Sequence, residues 1–176
     1  MGKGCCIWLT GLPASGKTTI AQALGEVLKP SITLDGDVVR KWLGRDLGFT
    51  RADRRTNVIR VANLTKLLIS KRGENMVIVA LVSPYEDDRQ RAFGIIRPVG
   101  RCIEVHLDCP VEVCEARDPK GMYAKARAGE IPHFTGVDDP YESPVAPDVY
   151  LRTDLMTVEE AVAEILGAVG WRYSHD

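Results

Sequence analysis

Gly11-Leu12-Pro13-Ala14-Ser15-Gly16-Lys17-Thr18 is the stretch that decides the fold. It matches G-x-x-x-x-G-K-[ST], and its flanks give the match weight. Ahead of it lies an apolar run, Cys5-Cys6-Ile7-Trp8-Leu9. Behind it, Ile20, Leu24, Val27 and Leu28 recur on one helical face. Strand, glycine loop and helix in this order make a phosphate cradle. The glycines let the backbone curl until several N–H groups aim at one anion, and the helix adds the positive end of its dipole. A glycine turn that matched by chance would lack both flanks. Residues 11–18 together with Thr19 are therefore expected to bind a nucleotide's phosphates. Lys17 is placed to reach the β- and γ-phosphates, and Thr18 to offer its hydroxyl to Mg²⁺.

Outward from this loop, short apolar runs alternate with helical patterns, the signature of an α/β fold with a parallel sheet. Strands are predicted over 5–10, 31–34, 76–82, 102–107 and 148–151. The first helix is predicted over 16–29, a short one after Asp37, and a long one from Thr50, which has capping-box spacing to Asp53. The long helix turns Val58, Val61, Leu64 and Leu68 inward and ends at Gly73. Another helix covers 86–97, one begins at Pro110, and the last begins at the capping box Thr157/Glu160, with Val158, Val162, Ile165 and Val169 as its buried stripe. Residues 118–147 are rich in Gly, Pro, Asp and Lys. A loop of that length beside a phosphate site reads as a lid. Residues 1–176 are read as one domain that includes it.

The net charge of −1 over 176 residues gives no global field toward nucleic acid or a membrane. No apolar run nears the roughly 20 residues that span a bilayer. Met1-Gly2-Lys3-Gly4 runs straight into the first strand, leaving no room for a signal peptide ahead of it. The five cysteines are odd in number, form no C-x-x-C pair, and lie mostly in strand-like or helix-like segments. Cys5 and Cys6 point to opposite faces of one strand. Reduced thiols in a cytoplasmic protein are expected.

Strand two ends in Leu34-Asp35-Gly36-Asp37, with Arg40 following. Ligands of open parallel sheets bind beyond the carboxyl ends of the strands, which puts Asp37 in the crevice of the phosphate loop. Phosphoryl transfer to an alcohol needs a carboxylate that orients the hydroxyl and takes its proton, and Asp37 suits that role. Asp35 is a candidate for the Mg²⁺ shell. The plainer role for Asp37 is to cap the next helix. Arg40, Arg54 and Arg60 with Asn57 form a basic cluster, of which Arg54 and Asn57 share one helical face. Arginine suits anion capture, although a charge run is ordinarily a solvated face. Phe49 and Phe134 together can sandwich a flat base, while each alone reads as core. Ser83-Pro84 follows strand three and either faces ligand or caps the helix at 86–97. Lys120 can neutralise charge on a transferring phosphoryl group, although a lone loop lysine is ordinarily only solvated. His106 reads as structural, and His133 beside Phe134 as a weak ligand candidate.

Taken together these residues resemble the adenylyl-sulfate kinase family over about residues 5–155. The narrowest pieces are Leu34-Asp35-Gly36-Asp37 with Arg40, Asp46-Leu47-Gly48-Phe49, Asp53-Arg54 with Asn57 and Arg60, and Ser83-Pro84-Tyr85. Arg117-Asp118-Pro119-Lys120-Gly121 with Tyr123 is another. The longest is Lys125-Ala126-Arg127-Ala128-Gly129-Glu130-Ile131, continuing through Phe134-Thr135-Gly136 to Asp139-Pro140-Tyr141-Glu142. The resemblance implies the P-loop nucleoside-triphosphate hydrolase fold, five parallel strands with flanking helices. It implies ATP and Mg²⁺, with transfer of the γ-phosphoryl group to the 3′-hydroxyl of adenosine 5′-phosphosulfate. It assigns Asp37 to that hydroxyl, Arg40, Arg54 and Asn57 to the phosphosulfate, and Phe49 and Phe134 to the substrate adenine. Val82 and Ser83 become substrate contacts, Arg117 lies against the adenine of ATP, and Lys120 serves the transferring phosphate. Ser83 also matches a serine often assigned as a phosphorylated intermediate, although in-line transfer requires no covalent enzyme. A homodimer and association with an ATP sulfurylase are implied as well. Four features are read as departures from the family pattern: Pro13-Ala14 in the phosphate loop, no extension ahead of strand one of the kind many relatives carry, the short connection Lys29-Pro30-Ser31, and Ala80-Leu81-Val82 before Ser83. The alternatives are a related kinase with another alcohol acceptor, or a weakly catalytic nucleotide-binding partner of a sulfurylase.

Overall fold

The computed structural model describes residues 4–70 and 76–171. Its elements are β1 (Cys5–Thr10), α1 (Lys17–Val27), β2 (Ser31–Asp35), α2 (Gly36–Leu43), α3 (Arg51–Ser70) and β3 (Met76–Ala80). After these come α4 (Glu86–Ile96), β4 (Arg101–Asp108), α5 (Val111–Arg117), α6 (Met122–Arg127), β5 (Val149–Arg152) and α7 (Val158–Val169). The five strands form one parallel sheet, as the alternating pattern predicts, and its order is β2-β3-β1-β4-β5. Ile7 at the centre of β1 registers with Ile78 of β3 and Ile103 of β4. Among the described residues no helix is long and apolar enough to cross a membrane.

A parallel sheet covered on both faces needs apolar residues at every position of its central strand, which is why Cys5–Leu9 reads as a continuous run. Cys5, Ile7 and Leu9 pack with Ile20 and Leu24 of α1 and Ile165 and Leu166 of α7. Cys6 and Trp8 turn the other way, toward Val58 and Val61 of α3 and Phe93 of α4. There the Trp8 and Phe93 rings meet edge-on, with centroids 5.8 Å apart. All five cysteines are buried free thiols.

The capping box at Thr157 forms in full: Glu160 N–H donates to the Thr157 hydroxyl (3.2 Å) and Thr157 N–H to the Glu160 carboxylate (2.8 Å). At Thr50 only the first half forms. Asp53 N–H donates to the Thr50 hydroxyl (3.2 Å), which itself donates to the Asp53 carboxylate (2.7 Å). α3 departs from its predicted face. Its buried stripe is Asn57, Val58, Val61, Ala62, Thr65 and Ile69, while Leu64 and Leu68 are only half-buried. Packing selects the stripe that continues through Ile69, and this rotation carries polar Asn57 inward to the sheet's carboxyl edge. Gly73, the predicted end of this helix, lies outside the described residues.

Candidate active site

The strand order reverses about β1, and the phosphate loop leaves the carboxyl end of that strand, the usual ligand crevice of an open α/β sheet. At Gly11 a Cβ would sit 2.5 Å from the Leu107 carbonyl oxygen and 2.7 Å from Ser15 Oγ, so no side chain fits. Gly16 caps α1 with φ 100° and offers no side chain to the helix's first N–H groups, which leaves them for a ligand. Lys17 closes back over the loop, donating to the carbonyls of Gly11 (2.9 Å) and Leu12 (2.6 Å). Desolvation there pulls its pKa down to about 8.

Thr18 donates its hydroxyl to Asp35 (2.7 Å). The same carboxylate accepts Asp37 N–H (3.0 Å) and so caps α2. The capping role considered for Asp37 therefore belongs to Asp35, which holds the extended backbone an N-cap requires (φ −80°, ψ 135°). Asp37 sits one residue inside the helix, exposed, and pairs with Lys120. That pairing holds the Lys120 ammonium above its ordinary pKa. Arg117 bridges the loop and the end of β5, donating to the carbonyls of Thr153 (2.7 Å) and Ala14 (3.5 Å).

On the other side, Arg40 donates to the carbonyls of Leu47 (3.2 Å) and Gly48 (2.7 Å), and its guanidinium lies 4.3 Å from the centre of the Phe49 ring. Arg54 donates to the Phe49 carbonyl (3.1 Å) and the His133 carbonyl, and faces Asp139 at 3.5 Å. Phe134 meets Tyr123 edge-on at 4.9 Å in a small cluster that includes Cys109, Cys114 and Leu12. Both phenylalanines line the cavity: Phe49 is 43% exposed at its rim, and Phe134 is 8% exposed in its wall.

Two sequence readings change here. Arg60 leaves the basic cluster: its fork grips Asp46 (2.6 and 2.7 Å) and braces the α2–α3 connection. Ser83 does not cap α4, whose N-cap is Tyr85 with no side-chain bond. It takes a left-handed backbone (φ 39°), a conformation costing about 1–3 kcal/mol in a non-glycine residue. Its Oγ accepts from Trp8 Nε1 (3.1 Å) and donates to Thr10 Oγ1 (3.0 Å) at 2% exposure. The neighbouring Val82 carbonyl accepts the Thr10 hydroxyl (2.7 Å). His106 is buried in β4 between Tyr141 and Tyr150, as a structural residue would be.

Residues 13–19 of the phosphate loop, Asp37, Arg40, Phe49, Arg54, Asn57, Val82, Ser83, Arg117, Lys120 and Phe134 all line one cavity of about 900 Å³, while Gly11 and Leu12 are not part of its lining. That is near the upper end of the roughly 300–1,000 Å³ common for small-molecule sites. Two buried oxygens of its lining residues, Asn57 Oδ1 and Thr135 Oγ1, have no hydrogen-bond partner among the described residues. A buried polar group left unpaired costs about 1–3 kcal/mol, and a bound ligand can relieve that cost. Sequence reasoning missed Asp139 as the partner of Arg54, because nothing in the spacing links residues so far apart. It also missed the wall formed by Met156 and Thr157 at the start of α7, where the capping box reads only as a helix start.

A phosphate loop at the carboxyl edge of a parallel sheet, sharing one cavity with a carboxylate–lysine pair, defines a P-loop kinase. A family model for adenylylsulphate kinase matches residues 3–152. Adenylyl-sulfate kinase of Halothermothrix orenii is 48% identical over 168 residues, 93% of this chain and 88% of that protein. The Saccharomyces cerevisiae enzyme is 47% identical, covering 92% and 82%. The APS kinase of Mycobacterium tuberculosis, solved in complex with AMPPNP and APS, superposes with a TM-score of 0.91 at 39% identity, covering 97% of this chain and 99% of that one. The chain belongs to the adenylylsulphate kinase family. A gluconokinase from Sinorhizobium meliloti, at 15% identity and TM-score 0.62, shares the fold alone.

Proposed function

We propose that the protein transfers the γ-phosphoryl group of ATP to the 3′-hydroxyl of adenosine 5′-phosphosulfate, giving the 3′-phosphorylated product and ADP. The observation that carries this is the pairing of Asp37 with Lys120 in the cavity that the phosphate loop lines, in a chain of this family. The loop N–H groups and Lys17 hold the β- and γ-phosphates, and Arg117 flanks the base of ATP. Arg40, Arg54 and Asn57 take the phosphosulfate of the acceptor, while Phe49, Phe134 and Val82 enclose its adenine and ribose.

Asp37 orients the 3′-hydroxyl and accepts its proton as the oxygen attacks the γ-phosphorus. The new O–P bond forms as the bond to the β-phosphate oxygen breaks, and that electron pair leaves with ADP. Lys120 neutralises charge on the phosphoryl group in transit, a task that an ammonium already steered by Asp37 can perform. Ser83 is satisfied by Trp8 and Thr10, which favours a positioning role over a covalent phosphoserine.

Thr18 Oγ1 and Asp35 are hard oxygen donors that meet beside the loop, and they fit Mg²⁺, which takes one or two protein ligands and completes its shell from phosphates and water. The ion would neutralise phosphate charge there. Among the described residues no group of three or more His, Cys, Asp or Glu side chains could hold a metal by itself. A cytoplasmic homodimer is proposed as well. Val38 and Trp42, one turn apart on α2 and both exposed, offer it an apolar contact, and analytical ultracentrifugation tests it. Association with an ATP sulfurylase rests on the resemblance and is tested by co-sedimentation of the purified proteins.

The test is product analysis after incubation with Mg²⁺-ATP and adenylyl sulfate. One added phosphoryl group at the ribose 3′ position supports the reading. A product phosphorylated elsewhere, or none from protein that phosphorylates another alcohol, overturns it.

A further inference from the structure

Arg89 of α4 is fully buried, yet it lines no part of the cavity. Its guanidinium joins three pieces of chain: Ser83–Glu86 at the start of its own helix, β4, and Glu142. Nε donates to Glu104 of β4 (3.0 Å), Nη1 to the Ser83 carbonyl (2.8 Å), and Nη2 to the Glu142 carbonyl (2.7 Å) and to the Glu86 carboxylate. Burial works against the charge of Glu104, and the guanidinium opposes that effect. A buried ion pair is weak evidence of stabilisation, because desolvation offsets much of the attraction. A planar fork instead fixes direction.

The two carbonyls it holds are informative. Ser83 is the strained residue at the floor of the acceptor half, and Glu142 lies where the 118–147 segment returns to the sheet. A second tie runs in parallel. Tyr141 Oη lies 3.0 Å from Thr10 Oγ1, which lies 3.0 Å from Ser83 Oγ. Glu142 in turn accepts Glu86 N–H (2.8 Å) at the start of α4.

We propose that Arg89 is a positioning residue for the acceptor half of the cavity: one guanidinium fastens the pocket floor at Ser83 and the returning end of the cover at Glu142 in a single register. None of the phosphate loop's own ties runs through Arg89: they join residues 11–17 to one another and to Arg117 and Tyr123, so the nucleotide half is expected to be spared. The proposal rests on the assignment of the acceptor pocket made above.

The test compares wild type, Arg89→Lys and Tyr141→Phe in steady-state kinetics with each substrate varied, beside thermal melting. Lysine keeps the charge and loses the fork. Arg89→Lys is expected to lower kcat/KM for adenylyl sulfate on the order of 10²-fold, since small misplacements from remote changes have effects of that size. The KM for ATP should stay within about twofold. Tyr141→Phe removes only the hydroxyl tie and should give the same split, weaker, at about three- to tenfold. An equal loss for both substrates, or a lowered melting temperature with unchanged constants per folded molecule, overturns the proposal. If Arg89→Lys does not fold, Tyr141→Phe decides: unchanged constants for adenylyl sulfate overturn it. Wild type that turns over a different acceptor sinks the substrate assignment alone, and the same split is then read with that acceptor. Wild type inactive with every acceptor overturns both.

Discussion

The two halves of the cavity are held together by contacts of different range. In the nucleotide half, Lys17 bonds to Gly11 and Leu12, and the loop turns on its own Ser15 N–H to Leu12 carbonyl bond (3.1 Å). Those partners lie within six residues, and Arg117 and Tyr123 add longer ties to the carbonyls of Ala14 (3.5 Å) and Pro13 (3.1 Å). In the acceptor half, Lys120 meets Asp37, Arg54 meets His133 and Asp139, and Thr10 meets Tyr141, so each contact joins distant segments. A cradle whose lysine and turn bonds are local takes its shape once β1 and α1 are in place, and Arg117 and Tyr123 then brace it. A pocket assembled from α2, α3, the β3 exit and the 118–147 segment exists only when all of them are placed. Changes in the acceptor half should therefore separate acceptor chemistry from nucleotide binding, and four experiments probe that separation.

The largest effect is expected at Asp37. Asp37→Asn should lower kcat by about 10²–10⁴-fold, the usual contribution of a positioned general base, with the Kd of ATP within about twofold. Parallel loss of both would break the division. Lys120→Met should lower kcat by about 10²–10³-fold, again sparing ATP binding in a fluorescence titration. Unchanged turnover would return this lysine to the solvent.

Phe134→Ala should raise the Kd of adenylyl sulfate far more than that of ATP in calorimetric titration. Base stacking is worth about 1–3 kcal/mol in single-stranded nucleic-acid systems, and that range corresponds to roughly five- to 150-fold. Because Phe134 also packs on Tyr123, the variant should melt at a lower temperature, as large-to-small core changes do. Equal weakening of both ligands would remove the base contact and leave only the packing.

The smallest effect belongs to the nucleotide half. Desolvation disfavours the charge of Lys17 and pulls its pKa down to about 8 in the free protein. Bound phosphates favour that charge, so ATP binding must take up a proton once the pH exceeds about 8. Affinity should fall above that pH, by at most about tenfold per unit, with proton uptake visible as a buffer-dependent heat. A flat profile from pH 7 to about 9.5 would show that Lys17 stays charged.

The same division explains what the sequence makes legible. The phosphate loop, the order of strands and helices, and the opposite faces of Cys5 and Cys6 follow from local spacing and period. The cap of α2 does not: Asp35 and Asp37 are both suitable residue types, and only the backbone at the end of β2 decides between them. The cluster of Arg40, Arg54 and Arg60 looks uniform in sequence, yet Asp46 takes Arg60 away while Asp139 and the His133 carbonyl draw Arg54 to the cavity. Leu64 and Leu68 read as core, yet the stripe through Asn57 and Thr65 wins on packing. Arg89 gives no signal at all, since Glu86-Asp87-Asp88-Arg89 has the composition of a solvated helix start.

The most direct measurement is ADP release by the wild-type protein with Mg²⁺-ATP, in the presence and absence of adenylyl sulfate. If the two halves meet as described, ADP appears with the acceptor and the rate without it is negligible by comparison. Equal rates with and without adenylyl sulfate, from folded protein that binds ATP, would contradict a cavity built to join that acceptor to the nucleotide.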